Sequence, residues 1–303
     1  MKIPKGGIAF FDSGIGGLTV LDACRKRLPD ALFYYYGDNK HAPYGNLPPR
    51  KIYRYTRKAF LLFSRLKVRA VVIACNTVTA VCIQKLRKKF KFPIIGTEPA
   101  VQSAAKKGGE IYVLSTRATF TSEKFHTLCK NVQTEYPKAK ITTFSCDDLA
   151  GAIERHIQNS NFDFTPYLPS GNPNTVVLGC THYIYIEEAV KRFYHCEVIN
   201  GNAGIAARLA SVIKKQEEKS FGFNQNREGR PRLTTKENEN GNPDDNLPKK
   251  QLKMHKKAEM KGEIYFLGKS QVVNKTQYEQ MFVYKFTQKA GVSGQKNQKK
   301  LKK

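Results

Sequence analysis

The chain has 303 residues, 40% of them hydrophobic, enough for one large or two ordinary α/β domains with buried cores. No apolar run approaches the ~18 residues of a membrane span, and the run at 8–11 stops at Asp12, too short for a signal-peptide core. Seven cysteines without CxxC pairs fit a reducing compartment better than a disulfide framework or a structural zinc site, so a cytoplasmic protein is expected, with no metal.

Charge is the outlying property. The formal net charge is +27, and residues 213–303 carry 22 Lys/Arg against 10 Asp/Glu. Such an excess favours contact with polyanions, nucleic acid included, through a basic surface or tail. A lysine-rich solvated surface is the better explanation, since the tail lacks interleaved aromatics and any nucleic-acid motif.

In chain order, short β-branched or aromatic runs predict strands at 7–11, 32–36, 70–74, 93–96, 110–114, 141–144, 175–178 and 197–199. Helical patterns lie between them at 50–66, 78–90, 121–132 and 183–193, with another helix starting near Leu18. This alternation predicts an α/β fold of mainly parallel sheets flanked by helices. Two landmarks recur at nearly one offset. AVVIAC ends at Cys75 and TVVLGC at Cys180, 105 residues later; FFDS ends at Ser13 and VLST at Thr116, 103 residues later. Two matches in the same order indicate a duplication, hence two similar domains about a pseudo-twofold axis with a cleft between them.

The expected division is a first domain of 1–97 with about 198–215 and 262–290, and a second of 98–197. Residues 216–261, rich in Asn, Glu, Lys, Gly and Pro, read as a disordered insertion, and 291–303 as a basic disordered tail. Between these two segments, GEIYFLG reads as a strand and 277–289 as a helix that return to the main body.

Three strand ends are unusually polar: DSGIGG at 12–17, CNT at 75–77 and CTH at 180–182. Ligands of open α/β sheets bind at such ends. Cys75 and Cys180 each sit between a strand and a helix start, where the helix dipole favours thiolate. Either thiol alone reads as a buried structural cysteine, but two at equivalent points of duplicated halves read as a pair. One sulfur on each side of a ligand is what two-base racemisation requires: a thiolate removes an α-proton and the opposite thiol reprotonates the other face. Hydrogen bonds and exclusion of water must then stabilise the carbanion, and no cofactor is needed. Cys24, Cys82, Cys129 and Cys196 read as core; Cys146 is ambiguous.

Gly14, Gly16 and Gly17 let backbone approach a ligand. Asp12 could pair with an ammonium group, and Ser13 could bind a carboxylate or cap the helix. In GDNKHAPYG, Tyr44 could offer its hydroxyl to a ligand, although a plain turn accounts for Pro43 and Gly45 equally well.

FFDSGIGGLTVL, GDNKHAPYG, VVIACNTVTA and VVLGCTHY, in this order, resemble the signature segments of the glutamate racemases of the aspartate/glutamate racemase superfamily, over residues 7 to about 210. The resemblance implies a cofactor-independent interconversion of L- and D-glutamate that supplies D-glutamate for peptidoglycan. Its bases fall on Cys75, which takes the proton from D-glutamate, and Cys180, which takes it from L-glutamate. Assisting groups fall on Asp12, Glu154 and His182, and substrate contacts on Ser13, Pro43, Tyr44, Gly45, Asn76, Thr77, Thr116, Thr119, Thr181 and His182. Family members often form homodimers. Ile184 stands where the family commonly has proline, a change expected to shift the start of that helix.

Overall fold

The computed structural model describes residues 3–157, 159, 161–228, 263–269, 275–276 and 278–279. The first apolar run becomes a strand with both faces covered: β1 (Ile8–Asp12) is buried at every position, the mark of an interior parallel strand. The loop after it enters α1 (Gly17–Arg27). There follow β2 (Phe33–Gly37), α2 (Pro49–Arg65), β3 (Ala70–Ile73), α3 (Asn76–Lys89), β4 (Ile94–Gly96) and α4 (Val101–Ala105). The second half runs through β5 (Gly109–Ser115), α5 (Arg117–Phe120), α6 (Glu123–Glu135), β6 (Ala139–Ser145), α7 (Leu149–His156), β7 (Thr175–Leu178), α8 (Glu187–Tyr194) and β8 (Glu197–Ile199). The chain then enters α9 (Asn202–Glu228), and β9 (Ile264–Phe266) is the last strand among the described residues.

All ladders are parallel. The first sheet is ordered β4-β3-β1-β2-β9 and the second β6-β5-β7-β8. Numbered within its own half, the second sheet repeats the first four strands of the first in the same order, as a duplicated α/β unit should. Side chains alternate across each strand. Ala9, Phe11, Val71 and Ile73 meet α2 and α3 on one face of the first sheet, while Ile8, Phe10, Val72 and Phe33 meet α1 and α9 on the other. The second sheet is covered by α7 and α8 on one face and by α4 and α6 on the other.

The eight strands of the two halves lie within two residues of their predicted positions, and GEIYFLG forms β9, which pairs with β2. Several boundaries differ. β8 pairs with β7, so the second sheet runs to Ile199. The helix predicted at 121–132 is α6, which begins at Glu123 because Ser122 caps it with its side chain accepting from Phe125 N at 3.2 Å, and the short α5 precedes it as a separate helix. Residues 216–228, read as disordered from their composition, continue α9. Lys, Glu and Gln are good helix formers, and the helix is anchored where Gln216 Nε2 donates to Arg69 O at 3.0 Å and Glu217 pairs with Arg69 at 2.8 Å. The rest of the expected insertion and the tail lie outside the described residues. So does most of the helix expected at 277–289, apart from two residues, of which Tyr278 is buried on the first domain.

Candidate active site

Four strand ends, two from each sheet, converge between the halves. β1 ends at Asp12, and Cys75 N-caps α3 after β3. In the second half, Thr116 N-caps α5 after β5, and Cys180 precedes a 3₁₀ turn, Thr181–Ile186, after β7. This turn occupies the expected helix start, and α8 proper begins at Glu187. The halves touch where Thr77 Oγ1 and Thr116 Oγ1 share a hydrogen bond of 2.9 Å.

Glycines bring these ends close. A Cβ on Gly14 would lie 1.9 Å from Glu154 Oε1, and one on Gly16 would lie 2.5 Å from Thr181 Oγ1 and 2.7 Å from His182 Nδ1. The DSGIGG loop thus needs glycine to admit the second domain's own side chains, rather than chiefly to approach a ligand. Its other anchor is Asp12, whose Oδ2 accepts from Gly14 N at 3.1 Å and Gly17 N at 3.0 Å.

Cys75 and Cys180 are both buried. Burial, the neighbouring Asp12 and the nearby Cys180 push the Cys75 thiol well above the usual range, against smaller opposite pulls from Val78 N–H and Ser13. The helix start is expected to favour thiolate here. The amide does act in the expected direction, but desolvation outweighs it, and Cys75 rests as a thiol donating to Ser13 Oγ at 3.6 Å.

Cys180 has a different neighbourhood. Its Sγ lies 3.8 Å from His182 Nδ1, and His182 Nε2 lies 2.7 Å from Glu154 Oε1. Burial pulls the imidazole down, but its contacts with Cys180 and Glu154 together hold it well above an ordinary histidine. His182 is thus the cation in a line of three groups, buried at Cys180 and half-buried at Glu154.

Burial also raises Asp12, and the cation on His182 and the two amides offset this in part. Its Oδ1 and Asn76 Oδ1 are buried without a hydrogen-bond partner among the described residues. Thr116 Oγ1 donates to Thr119 Oγ1 at 3.1 Å, joining Thr77, Thr116 and Thr119 in one hydroxyl chain. Thr181 is buried beside Gly16. Pro43 and Gly45 line a small crevice with Thr116 and Cys146, and a Cβ on Gly45 would lie 3.1 Å from Thr116 Cβ. These side chains are therefore gathered at one junction between the halves.

Tyr44 is placed differently from the expectation. Its ring is fully buried near Phe11 and Tyr55, and its hydroxyl donates to Asp38 Oδ2 at 2.6 Å instead of facing a ligand. Asp38 also meets His41 Nδ1 at 2.9 Å. The turn reaches the site through its backbone. Asp38 was not foreseen as a support, although it begins the same motif. Nor were Tyr35 and Tyr185, whose hydroxyls donate to Gly14 O at 2.8 Å and Ile15 O at 2.9 Å and hold the glycine loop from both domains. Cys146 lies near enough to Cys180 to feel its charge, which, after burial, helps push its thiol up to about 12.

Among the described residues no group of three or more His, Cys, Asp or Glu side chains could hold a metal ion, and no helix is long and apolar enough to cross a membrane. The Asp/Glu/hydantoin racemase family model matches residues 19–210, well over half of the chain. The chain belongs to the Asp/Glu/hydantoin racemase family. As a member it is a racemase, an enzyme of the isomerase class. A glutamate racemase of Clostridium botulinum (strain Kyoto / Type A2) is 36% identical over 226 residues, covering 71% of this chain and 86% of its own length. Glutamate racemase 2 of Bacillus subtilis (strain 168) is 34% identical over 236 residues, covering 71% and 84%. Among solved structures, Escherichia coli glutamate racemase in complex with L-glutamate and the activator UDP-MurNAc-ala superposes with a TM-score of 0.62 at 29% identity, over 70% of this chain and 83% of its own.

Proposed function

We propose that this racemase interconverts L- and D-glutamate by proton transfer between Cys75 and Cys180, without a cofactor, and that it supplies D-glutamate for peptidoglycan in the cytoplasm. The observation that carries this reading is the placement of two buried thiols at equivalent strand ends of a repeated sheet, close enough for one to feel the other's charge. The substrate assignment rests on relatives of 34–36% identity, all glutamate racemases aligned over most of their length.

The chemistry divides between the two thiols. His182, held as a cation by Glu154, sets a positive charge 3.8 Å from the Cys180 sulfur, while Cys75 rests as an acid. That state suits L-glutamate: Cys180 takes the α-proton, and Cys75 delivers its own to the opposite face. Return from D-glutamate runs through the reverse state. The α-carbanion is the hard intermediate, and exclusion of water from so buried a site strengthens every hydrogen bond made to it.

Recognition follows from the unpaired acceptors. An orphaned buried acceptor costs about 1–3 kcal/mol. Asp12 Oδ1 and Asn76 Oδ1 are two of them, and an α-ammonium group brings donors to both. The Thr77, Thr116 and Thr119 hydroxyls, with Ser13 and Thr181, offer donors to carboxylates, and the backbone of Pro43, Tyr44 and Gly45 bounds the far end.

The test is incubation with either enantiomer in deuterated water without added cofactor. Racemisation with α-deuterium in the product is expected, and absence of exchange from both enantiomers refutes the reading. Cys75→Ala and Cys180→Ala should each abolish racemisation; near-normal turnover in either excludes the two-thiol mechanism. Aspartate is the alternative substrate within the family, and kcat/KM on the two amino acids decides between them.

A further inference from the structure

The positive charge of this chain is not evenly spread. Residues 40–97 contain fourteen Lys/Arg and no Asp or Glu, whereas residues 98–197 hold ten against eleven. The fold sets the two long helices of the basic segment side by side. α2 and α3 bury Phe60, Phe63, Val78 and Leu86 against one face of the first sheet and pack on each other, so their outward sides form one surface. Arg50, Arg57, Lys58 and Arg65 on α2 and Lys85 and Lys88 on α3 are all exposed there. Among the described residues only Arg69 of the fourteen is ion-paired, with Glu217 at 2.8 Å. The other thirteen are exposed cations without a carboxylate partner among those residues. Like charges three or four residues apart on a helix repel, each pair costing a few tenths of a kcal/mol, and an external polyanion relieves that repulsion.

We propose that the α2–α3 face docks nucleic acid through its phosphate backbone, independently of base sequence. α2, with 17 residues, is about 25 Å long, enough to follow several phosphates of a duplex that carries one charge per ~1.7 Å of axis. An anionic membrane offers similar charge, but this surface has little to insert into one. The apolar sides of both helices are spent in the core, and Leu61 is the one large hydrophobic side chain exposed on it among the described residues. The proposal moves the polyanion site from the C-terminal tail to the folded first domain, and it is independent of the reading of the active site.

The test is fluorescence anisotropy of a labelled DNA duplex of mixed sequence with the full chain, over a salt series. Log affinity should fall linearly and steeply with log salt. Reversing four charges in R57E/K58E/K85E/K88E should weaken binding at least tenfold at low salt and reduce the slope by about 3 to 4. K85Q/K88Q should give a smaller loss, which guards against a folding defect in the larger variant, and unchanged circular dichroism melting certifies both. Neutralising the tail with K296Q/K299Q/K300Q/K302Q/K303Q should leave most of the affinity. The proposal is overturned if the tail variant loses binding while the helix variants keep it, or if binding is insensitive to salt. It also falls if phosphatidylglycerol vesicles bind more tightly than the duplex at equal salt.

Discussion

Glu154 holds His182 from the side opposite Cys180: its Oε1 lies 2.7 Å from Nε2, while Nδ1 faces the cysteine sulfur at 3.8 Å. Removing the carboxylate charge with Glu154→Gln should lower the imidazole's affinity for its proton. A charge-assisted hydrogen bond is worth about 1.5–3 kcal/mol, so kcat/KM should fall roughly tenfold to a hundredfold. The fall must be equal in both directions, because the equilibrium constant between enantiomers in water is one. The cation needed beside Cys180 will also be lost at lower pH, so the alkaline limb of the kcat/KM profile should move towards acid. Progress curves from each enantiomer across pH check both points, and an unchanged alkaline limb would detach Glu154 from the histidine.

Asp12 acts on Cys75 through charge and on α1 through hydrogen bonds, and Asp12→Asn separates these. The amide oxygen can keep the bonds from Gly14 and Gly17 N–H, while the negative charge that raises the Cys75 thiol disappears. At a fixed mildly alkaline pH, Cys75 should therefore react faster with iodoacetamide, since the thiolate is the nucleophile. Racemisation should nevertheless fall, because an ammonium group loses its counter-charge. Stability should change in a set direction as well. The folded-state pKa of Asp12 is raised above its unfolded value of 3.8. Its contribution thus favours folding below that value and is lost as pH rises through the folded pKa. At neutral pH the buried charge is a cost, so the variant should melt at a higher temperature. Mass-resolved alkylation and thermal melts at pH 7 provide the two readings.

The Tyr44 turn allows a sharp comparison. Because the hydroxyl is spent on Asp38, Tyr44→Phe should change KM little, with Asp38 still facing His41 at 2.9 Å. Asp38→Ala frees both side chains and should raise KM several-fold with a smaller change in kcat, since it loosens the turn and leaves the proton-transfer groups in place. A large kcat loss in Tyr44→Phe would mean that the hydroxyl reaches the substrate after all. Steady-state kinetics on glutamate suffices.

How far the site could be read from sequence depended on whether a residue's role was local. Cys75 and Cys180 were legible because hydrophobic strands such as AVVIA and TVVLG end visibly in polar residues, and the repeat offset paired them. The parallel sheets were legible from runs like IAFF, buried on both faces. Asp38, Tyr35 and Tyr185 were not, because each acts on a loop distant in the chain, and a tyrosine in FYYYG looks the same whether its hydroxyl is spent or free. The protonation of Cys75 is hidden for a related reason: the helix start is visible in sequence, but desolvation and the charge of Asp12 are set by packing. Helix continuation through 216–228 was hidden by a polar composition, since the anchors at Arg69 lie some 147 residues away.

Gly16 shows which glycines are there for room. A Cβ at this position would lie 2.5 Å from Thr181 Oγ1, 2.7 Å from His182 Nδ1 and 2.8 Å from His182 N, and the last of these is backbone that cannot swing aside. Gly16→Ala should therefore push the second domain's CTH segment away from the first, lengthening the proposed proton path between the thiols. Misplacement of about 1 Å can cost on the order of a hundredfold in rate, so kcat should collapse while most of the fold persists. Gly204, in the first turn of α9, would place an added methyl group with nothing within 4 Å of it. Gly204→Ala should instead stabilise the protein by about 0.5–1 kcal/mol through helix propensity, with activity unaltered. Thermal melts and racemisation rates of the two variants, measured side by side, should therefore diverge in opposite directions; equal behaviour would show that the domains do not meet at Gly16.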